Sequence, residues 1–600
     1  MKKILTYIKP YRVQSILSPL FKMIEATFEL LVPFIVSLIV DKGLGEYVNG
    51  GYPNADKKFI VEMCLVLVAF GLVGLAFSVV AQYFSAKTAT GVSAGVRRDL
   101  FKKLQSLSYK DMDKLGTATM LTRMTSDVDQ LQTGVNLFLR LLLRSPFVVF
   151  GAWVVACIID PASFAVFGIV IAVLAVVVYA IMFICMPLYK KSQAKLEKVL
   201  LSARENLTGA RVLRAFCQEE EERALFKTRN NALTKERKFV GGIAALTNPV
   251  TYVLINVGII LLLWTGAIRV DAGNLTQGKV IALYNLMGQI LIELVKLANL
   301  IVTVTKAAAS GSRIEKVLEM QPSLQIETAQ ETTQTESVEI ETAQMEISQT
   351  DDSIVFEEVS MRYLEGADEA LSDISFRVKR GSTLGVIGGT GSGKTTLVNL
   401  IPHFYDVTGG RVLVDGKNVN SAEMQDFLRQ RIGIVPQKAM LFKGTIRENL
   451  LWGKADATDE ELWFALRCAQ AVDVVEEKGG LDGAVEQGGK NFSGGQKQRL
   501  TIARALVRKP EILILDDSSS ALDYATDAAL RKEIKQLQTT LIIVSQRASS
   551  VRDADKIIVL DDGKAVGIGT HTELMETCEV YREIYYSQYE NTEKQRGDSV

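Results

Sequence analysis

Six stretches of this chain are each long and apolar enough to cross a hydrocarbon core, and nothing else in the sequence limits its fold as strongly. A helix needs about 20 apolar residues for that span. The stretches run approximately over Val13–Val40, Phe59–Ala81, Leu137–Ile159, Phe164–Met186, Ala244–Ala267 and Val280–Val304. Connections after the first, third and fifth are short. Those after the second and fourth are long, charged and free of turn clusters, so the helices are expected to continue well beyond the bilayer. The long connections carry Lys87, Arg97, Arg98, Lys102, Lys103, Lys110 and Lys114, then Lys190, Lys191, Lys195, Lys198, Arg211 and Arg214. The short ones hold little beyond Lys57, Lys58 and Arg269. Basic residues favour the cytoplasmic side, which predicts both termini and both long loops there, in a multi-pass protein of the cell membrane.

Six hundred residues exceed one compact domain, and apolar residues are concentrated in the first half. With 68 basic against 68 acidic residues, the chain has no basic excess suited to nucleic acid. The six cysteines form no disulfide framework: Cys64, Cys157 and Cys185 lie in apolar runs, and Cys217, Cys468 and Cys578 in segments assigned to the cytosol. The start, MKKILTYIKPYR, leads into a helix carrying Lys22, Glu25 and Glu29 with no small-residue cleavage site, so no removable signal peptide is expected.

Ionisable groups inside the spans are costly in lipid and are expected to face water or one another. Lys22, Glu25 and Glu29 share one face of the first helix, and Arg140 and Arg144 form an i, i+4 pair at the start of the third. With Glu293, and with Glu62 and Lys296 beside them, they are candidates for a translocation path; inter-helix ion pairs are the alternative. From Met320 to Ser353 the texture changes to Glu, Thr and Gln without Lys, Arg or aromatics, and IETAQ occurs at Ile326–Gln330 and again at Ile340–Gln344. Such a segment cannot bury a core and reads as an acidic linker. The expected organisation is therefore a six-helix, all-α transmembrane domain (1–319), the linker (320–353), an α/β domain (354–590) and a polar tail (591–600).

The α/β domain carries the chemistry. A strand at Thr383–Ile387 is followed by Gly388-Gly389-Thr390-Gly391-Ser392-Gly393-Lys394-Thr395, which fits the G-x-x-x-x-G-K-[ST] phosphate loop. Glycines let backbone N–H groups wrap the phosphates of ATP, Lys394 reaches the β- and γ-oxygens, and Thr395 is placed to ligate Mg²⁺. The buried run Ile512-Leu513-Ile514-Leu515 ends in Asp516, suited to hold Mg²⁺ through water.

Between them stands Asn491-Phe492-Ser493-Gly494-Gly495-Gln496 ahead of a helix, and here the chain resembles the ATP-binding cassette (ABC) transporters, whose signature is SGGQ. The resemblance continues in Tyr363, matching the residue that stacks on adenine, in Thr396 beside the phosphate loop, in Gln437 of the Q-loop, a further Mg²⁺ contact, and in Asp523 of the D-loop. Upstream, six helices with two long cytoplasmic extensions look like the exporter membrane domain. What the resemblance implies is a half-transporter. Two cassettes sandwich two ATP molecules, each ATP lying on one cassette's phosphate loop and capped by the other's Ser493, Gly494, Gly495 and Gln496. Short helices near Tyr109–Lys114 and Arg211–Cys217 are expected to dock on the cassettes.

Two departures from the family pattern stand out. The residue after the Mg²⁺-binding Asp is usually Glu, which activates the attacking water; here it is Asp517, one methylene shorter. The His that contacts the γ-phosphate after a later strand is replaced by Gln546, which donates a hydrogen bond but cannot become a cation. The signature is intact. The expectation is a heterodimer with a second half-transporter carrying the usual Glu and His: this chain's site is degenerate, and its signature completes the partner's hydrolytic site. Amphipathic small molecules, lipids or peptides are the expected substrates. A homodimer with two slow sites, an ATP-gated channel or sensor, and an importer on the same architecture are the alternatives.

Overall fold

The computed structural model describes residues 2–44, 55–324, 351–364, 366–421 and 424–597. Most of the expected linker (325–350) and the last three residues of the expected tail (598–600) lie outside the described residues. The chain forms two compact units, Met1–Ser106 with Gly116–Met320, and Leu107–Leu115 with Gln321–Val600.

In the first unit six helical segments have the length and apolarity to cross a membrane: Ile4–Leu44, Lys57–Ser106, Thr117–Ile159, Ser163–Thr208, Glu219–Asp271 and Gln277–Glu319. Each contains one of the stretches read from sequence, and each is far longer than a bilayer requires, which the charged connections implied for the second to fifth. Along Lys57–Ser106 the side chains of Val61, Leu65, Val68, Leu72, Leu75 and Val79 form an exposed stripe at three- and four-residue spacing. A stripe of that length in water would be an aggregation surface; against lipid chains it is the ordinary solution. The opposite rule governs the first helix, where Ser18, Lys22, Ala26 and Leu30 repeat every fourth residue and are buried. Small residues let helices approach, and the two polar ones are satisfied across the contact: Ser18 Oγ donates to the Ala81 carbonyl at 2.9 Å and Lys22 Nζ to Ser78 Oγ at 2.9 Å.

One sequence expectation needs correction. Arg140 and Arg144 do not sit on one unbroken helix: the third segment divides into Val128–Leu141 and Arg144–Ile159. Pro146 is the cause, because it has no N–H to donate to the Leu142 carbonyl and its ring crowds that carbonyl.

The second unit is layered α/β. Six strands form the main sheet in the order β12-β11-β3-β10-β9-β6, with β3 at Thr383–Gly388, β6 at Ile432–Val435, β9 at Ile512–Asp516, β10 at Thr540–Val544, β11 at Lys556–Asp561 and β12 at Lys564–Gly569. All neighbours are parallel except β11 and β12. Every residue of β9 and β10 is buried, the unbroken apolar pattern of strands covered on both faces. A second, antiparallel sheet includes β1 (Asp352–Met361), β2 (Leu371–Lys379) and β4 (Gly409–Val414). The helix Lys394–Leu400 packs between the sheets through Leu397, Val398 and Leu400. This unit also includes the short helix Tyr109–Leu115, which follows the second span in the chain.

Candidate functional site

In a parallel sheet, ligands gather at the carboxyl ends of the strands. The order β3-β10-β9 sets three such ends side by side: Gly388, Ser545-Gln546 and Asp516-Asp517. Two backbone bonds tie them, Ser545 N–H to Val386 at 3.0 Å and Asp517 N–H to Val544 at 3.0 Å. The phosphate-loop motif spans from β3 to the helix Lys394–Leu400, whose free N–H groups suit anionic oxygens. Gly393 enters that helix at φ +95°, and a Cβ there would lie 2.6 Å from the Ala370 carbonyl oxygen, so the backbone path requires glycine.

Lys394 Nζ donates to the carbonyls of Gly388 at 3.0 Å and Gly389 at 2.5 Å. Burial pushes its pKa down, against the opposing pull of Asp517 and Asp516. Burial raises the pKa of the Asp516 carboxyl. Thr395 Oγ1 donates to Asp516 Oδ1 at 3.1 Å. A hydroxyl and a carboxylate converging in this way are the hard oxygen groups that Mg²⁺ takes, with Thr395 suited to bind it directly and Asp516 through water. Gln437 Nε2 donates to Asp517 Oδ2 at 3.2 Å, so these two candidates meet. Asp517 adopts φ +47°, a left-handed conformation that Asp tolerates better than most residues.

Tyr363 shares a hydrogen bond of 2.9 Å between its hydroxyl and Thr396 Oγ1, which brings the candidate adenine platform beside the phosphate-loop helix. Its ring meets Tyr405 edge-on at 5.2 Å. Tyr405 was not evident from sequence, although it anchors the neighbourhood: its hydroxyl donates to Asp113 Oδ2 at 2.8 Å, and Phe404 stacks on Tyr109 at 4.5 Å. Thus the helix Tyr109–Leu115 does dock within the second unit. Among the described residues, the other short helix, Ala210–Ala215, lies in the first unit with Val212 and Phe216 exposed.

The signature residues head the helix Gly494–Val507, where Ser493 and Gln496 form a reciprocal capping box. No hydrogen bond or ion pair among the described residues joins Ser493–Gln496 to the phosphate loop. A Cβ on Gly494 would meet nothing within 4 Å. Asp523 caps the helix Tyr524–Lys535 through the Thr526 N–H at 2.9 Å, and these hydrogen bonds hold its carboxyl below the usual carboxylate range.

The intramembrane candidates fall into two groups. Lys22 pairs with Glu25 at 2.5 Å, three residues along the same helix. Arg144 joins three helices by bonding Glu29 at 2.6 Å and Glu293 at 2.5 Å. Glu293 also accepts from Ser145 at 2.8 Å and from Lys296 at 2.8 Å. Arg140 is outside both groups, with its buried Nε unpaired. Glu62 is exposed, 4.0 Å from Lys58.

Comparison with known proteins bears on the family and the fold. A family model described as ABC transporter transmembrane region matches residues 15–294, and one described as ABC transporter matches residues 371–520. YfiB of Bacillus subtilis, named as an uncharacterized ABC transporter ATP-binding protein, is 33% identical over 590 residues, covering 98% of this chain and 99% of its own. Rv1273c of Mycobacterium tuberculosis, named in the same way, is 33% identical over 588 residues and 97% of each chain. The solved structure of a bacterial Atm1-family ABC exporter with ATP bound superposes with a TM-score of 0.76 at 22% identity, covering 97% of this chain and 98% of that one. That likeness is one of fold.

Proposed function

This chain belongs to the ABC transporter family, and from that premise we propose that it is one subunit of a two-chain exporter whose two ATP sites differ. The observation that carries the proposal is the pair Asp517 and Gln546, standing where the family has Glu and His, beside an intact signature.

In this reading ATP lies on Gly388–Thr396, with its adenine on Tyr363 and its β- and γ-phosphates on Lys394. Mg²⁺, held by Thr395 and Asp516 with help from Gln437, would neutralise charge on the transferring phosphate. Asp517 orients the attacking water from a backbone one methylene too far away, and a misplacement of about 1 Å can cost ~10²-fold. Gln546 donates to the γ-phosphate without adding positive charge. This site therefore binds tightly and hydrolyses slowly. Ser493, Gly494, Gly495 and Gln496 cap the ATP on a partner carrying Glu and His, and Asp523 lies beside them at the subunit contact. Closure of the cassettes drives alternating access for amphipathic compounds. Tyr109–Leu115 conveys it, and the Glu29–Arg144–Glu293 network ties together three of the helices that enclose the path. The basic long loops support a cytoplasmic cassette, and outward transport is what the resemblance to exporters implies.

The test is ATP turnover by the chain purified alone, compared with an Asp517→Glu, Gln546→His double variant. The proposal expects slow turnover that rises at least tenfold in the double variant. Fast turnover by the unaltered chain, or no gain in the variant, would overturn the reading that Asp517 and Gln546 make this site slow.

A further inference from the structure

The segment that follows β10 is gripped from outside the sheet. Gln588, on the helix Glu579–Gly597, uses both ends of its side-chain amide: Nε2 donates to the Gln546 carbonyl at 2.8 Å, and Oε1 accepts from the Ala548 N–H at 2.9 Å. One planar amide thus makes the two bonds that an adjacent strand would make, at a point where the chain has left the sheet. The rest of the segment is also tied. Ser545 N–H bonds Val386, and Arg547 N–H donates to Ser545 Oγ at 2.9 Å.

The register of Gln588 is set two helical turns earlier. Tyr581 is fully buried and its hydroxyl lies 2.9 Å from His571 Nδ1. Residues seven apart share a helix face, so the Tyr581 anchor aims Gln588 at the segment 546–548. The grip also extends inward. The Arg547 guanidinium bonds the carbonyls of Leu522 at 3.2 Å and Ser520 at 3.4 Å, and stacks 4.9 Å from the Tyr524 ring. Arg547 thereby links the segment to Ser520–Asp523.

We propose that Gln588 is a positioning residue for ATP hydrolysis: it fixes the backbone on either side of Arg547 so that the Gln546 side chain meets the terminal phosphate in one orientation. An anchored amide loses little orientational freedom on reaching the transition state, and preorganised donors account for much of the rate in such sites. The C-terminal helix then acts on hydrolysis only through the segment it holds. This rests on the reading of Gln546 as the γ-phosphate contact of this chain's own site.

The test uses the full-length chain in lipid nanodiscs. Three quantities are read: phosphate release from a single bound ATP, affinity for TNP-ATP, and hydrogen exchange at the Ala548 amide. Q588A is expected to slow release about tenfold, leave affinity within about twofold, and speed exchange at Ala548 at least tenfold. Q588E keeps the acceptor for Ala548 and loses the donor to Gln546, so its release rate falls between Q588A and the unaltered chain. Combined with Q546A, Q588A adds no further slowing. If Q546A slows release and Q588A does not, or the two effects multiply, or affinity falls with the rate, the positioning role is wrong. If Q546A has no effect, or the unaltered chain releases no phosphate, the role falls together with the reading of the site beneath it.

Discussion

The Tyr405 hydroxyl donates to the Asp113 carboxylate across 2.8 Å, joining residues 292 positions apart in the chain. The same ring abuts Tyr363, so one aromatic side chain touches both the helix Tyr109–Leu115 and the candidate adenine platform. Burial holds the Tyr405 hydroxyl well above its ordinary pKa, and the Asp113 charge adds to this, so it remains a donor throughout the physiological range. Tyr405→Phe keeps the ring and deletes the bond, which is worth about 1 kcal/mol. The expected outcome is nucleotide affinity within about twofold of the unaltered chain, with substrate stimulation of ATPase activity reduced about fivefold. Fluorescent-nucleotide titration and ATPase assays with and without substrate separate the two.

Asp516 should limit the stability of the nucleotide-free chain. Burial raises the pKa of its carboxyl, so the charged form is disfavoured on folding. The cost is absent below the unfolded pKa of about 3.9, grows as pH rises through the raised value, and is fully present at neutral pH. Asp516→Asn removes it while keeping an acceptor for Thr395. The variant should melt higher than the parent at pH 7 without nucleotide, show little difference at pH 3 to 4, and lose the Mg²⁺-dependent stabilisation by ATP. Thermal melts across pH, with and without MgATP, test all three.

Gly494→Asp and Lys394→Ala should have unequal effects on the assembled complex. An added side chain at Gly494 meets nothing in its own chain, so folding is spared and the damage falls on whatever faces that position. A carboxylate opposing a phosphate there is expected to lower turnover by ~10²–10³-fold or more. On the proposed division of roles Lys394→Ala disturbs only the slow site, and should shorten nucleotide retention while reducing turnover by less than about tenfold. Equal losses in ATPase assays of the two complexes would contradict the division of roles.

Breaking the Arg144–Glu293 pair should destabilise the membrane unit. Arg144 is 7% exposed and Glu293 2% exposed, and removing one member of a buried pair typically costs about 3–5 kcal/mol. Arg144→Met should lower the melting temperature in detergent, and adding Glu293→Leu should recover part of the loss. ATP affinity should not change in either variant. If Arg144→Met leaves stability intact and alters transport alone, the network serves the path rather than the fold.

The features that sequence determined are those that depend on neighbours in the chain. Length and apolarity of six stretches specify spanning helices because the bilayer reads each one separately, and β9 and β10 announce a covered parallel sheet by the unbroken apolar runs Ile512–Leu515 and Leu541–Val544. The phosphate loop was legible because its glycines, lysine and threonine act within eight consecutive residues. Tertiary structure decided the pairings. Pro146 was visible, but its effect on Arg140 and Arg144 emerged only with the helix it interrupts. Glu29, Arg144 and Glu293 come from three helices, Asp113 and Tyr405 from either side of the first unit's remaining spans, and Gln546 and Gln588 from a strand end and a later helix. A hydrogen bond has a reach of about 3 Å and leaves no periodic trace in sequence, so its partners become known only when packing has brought distant segments together.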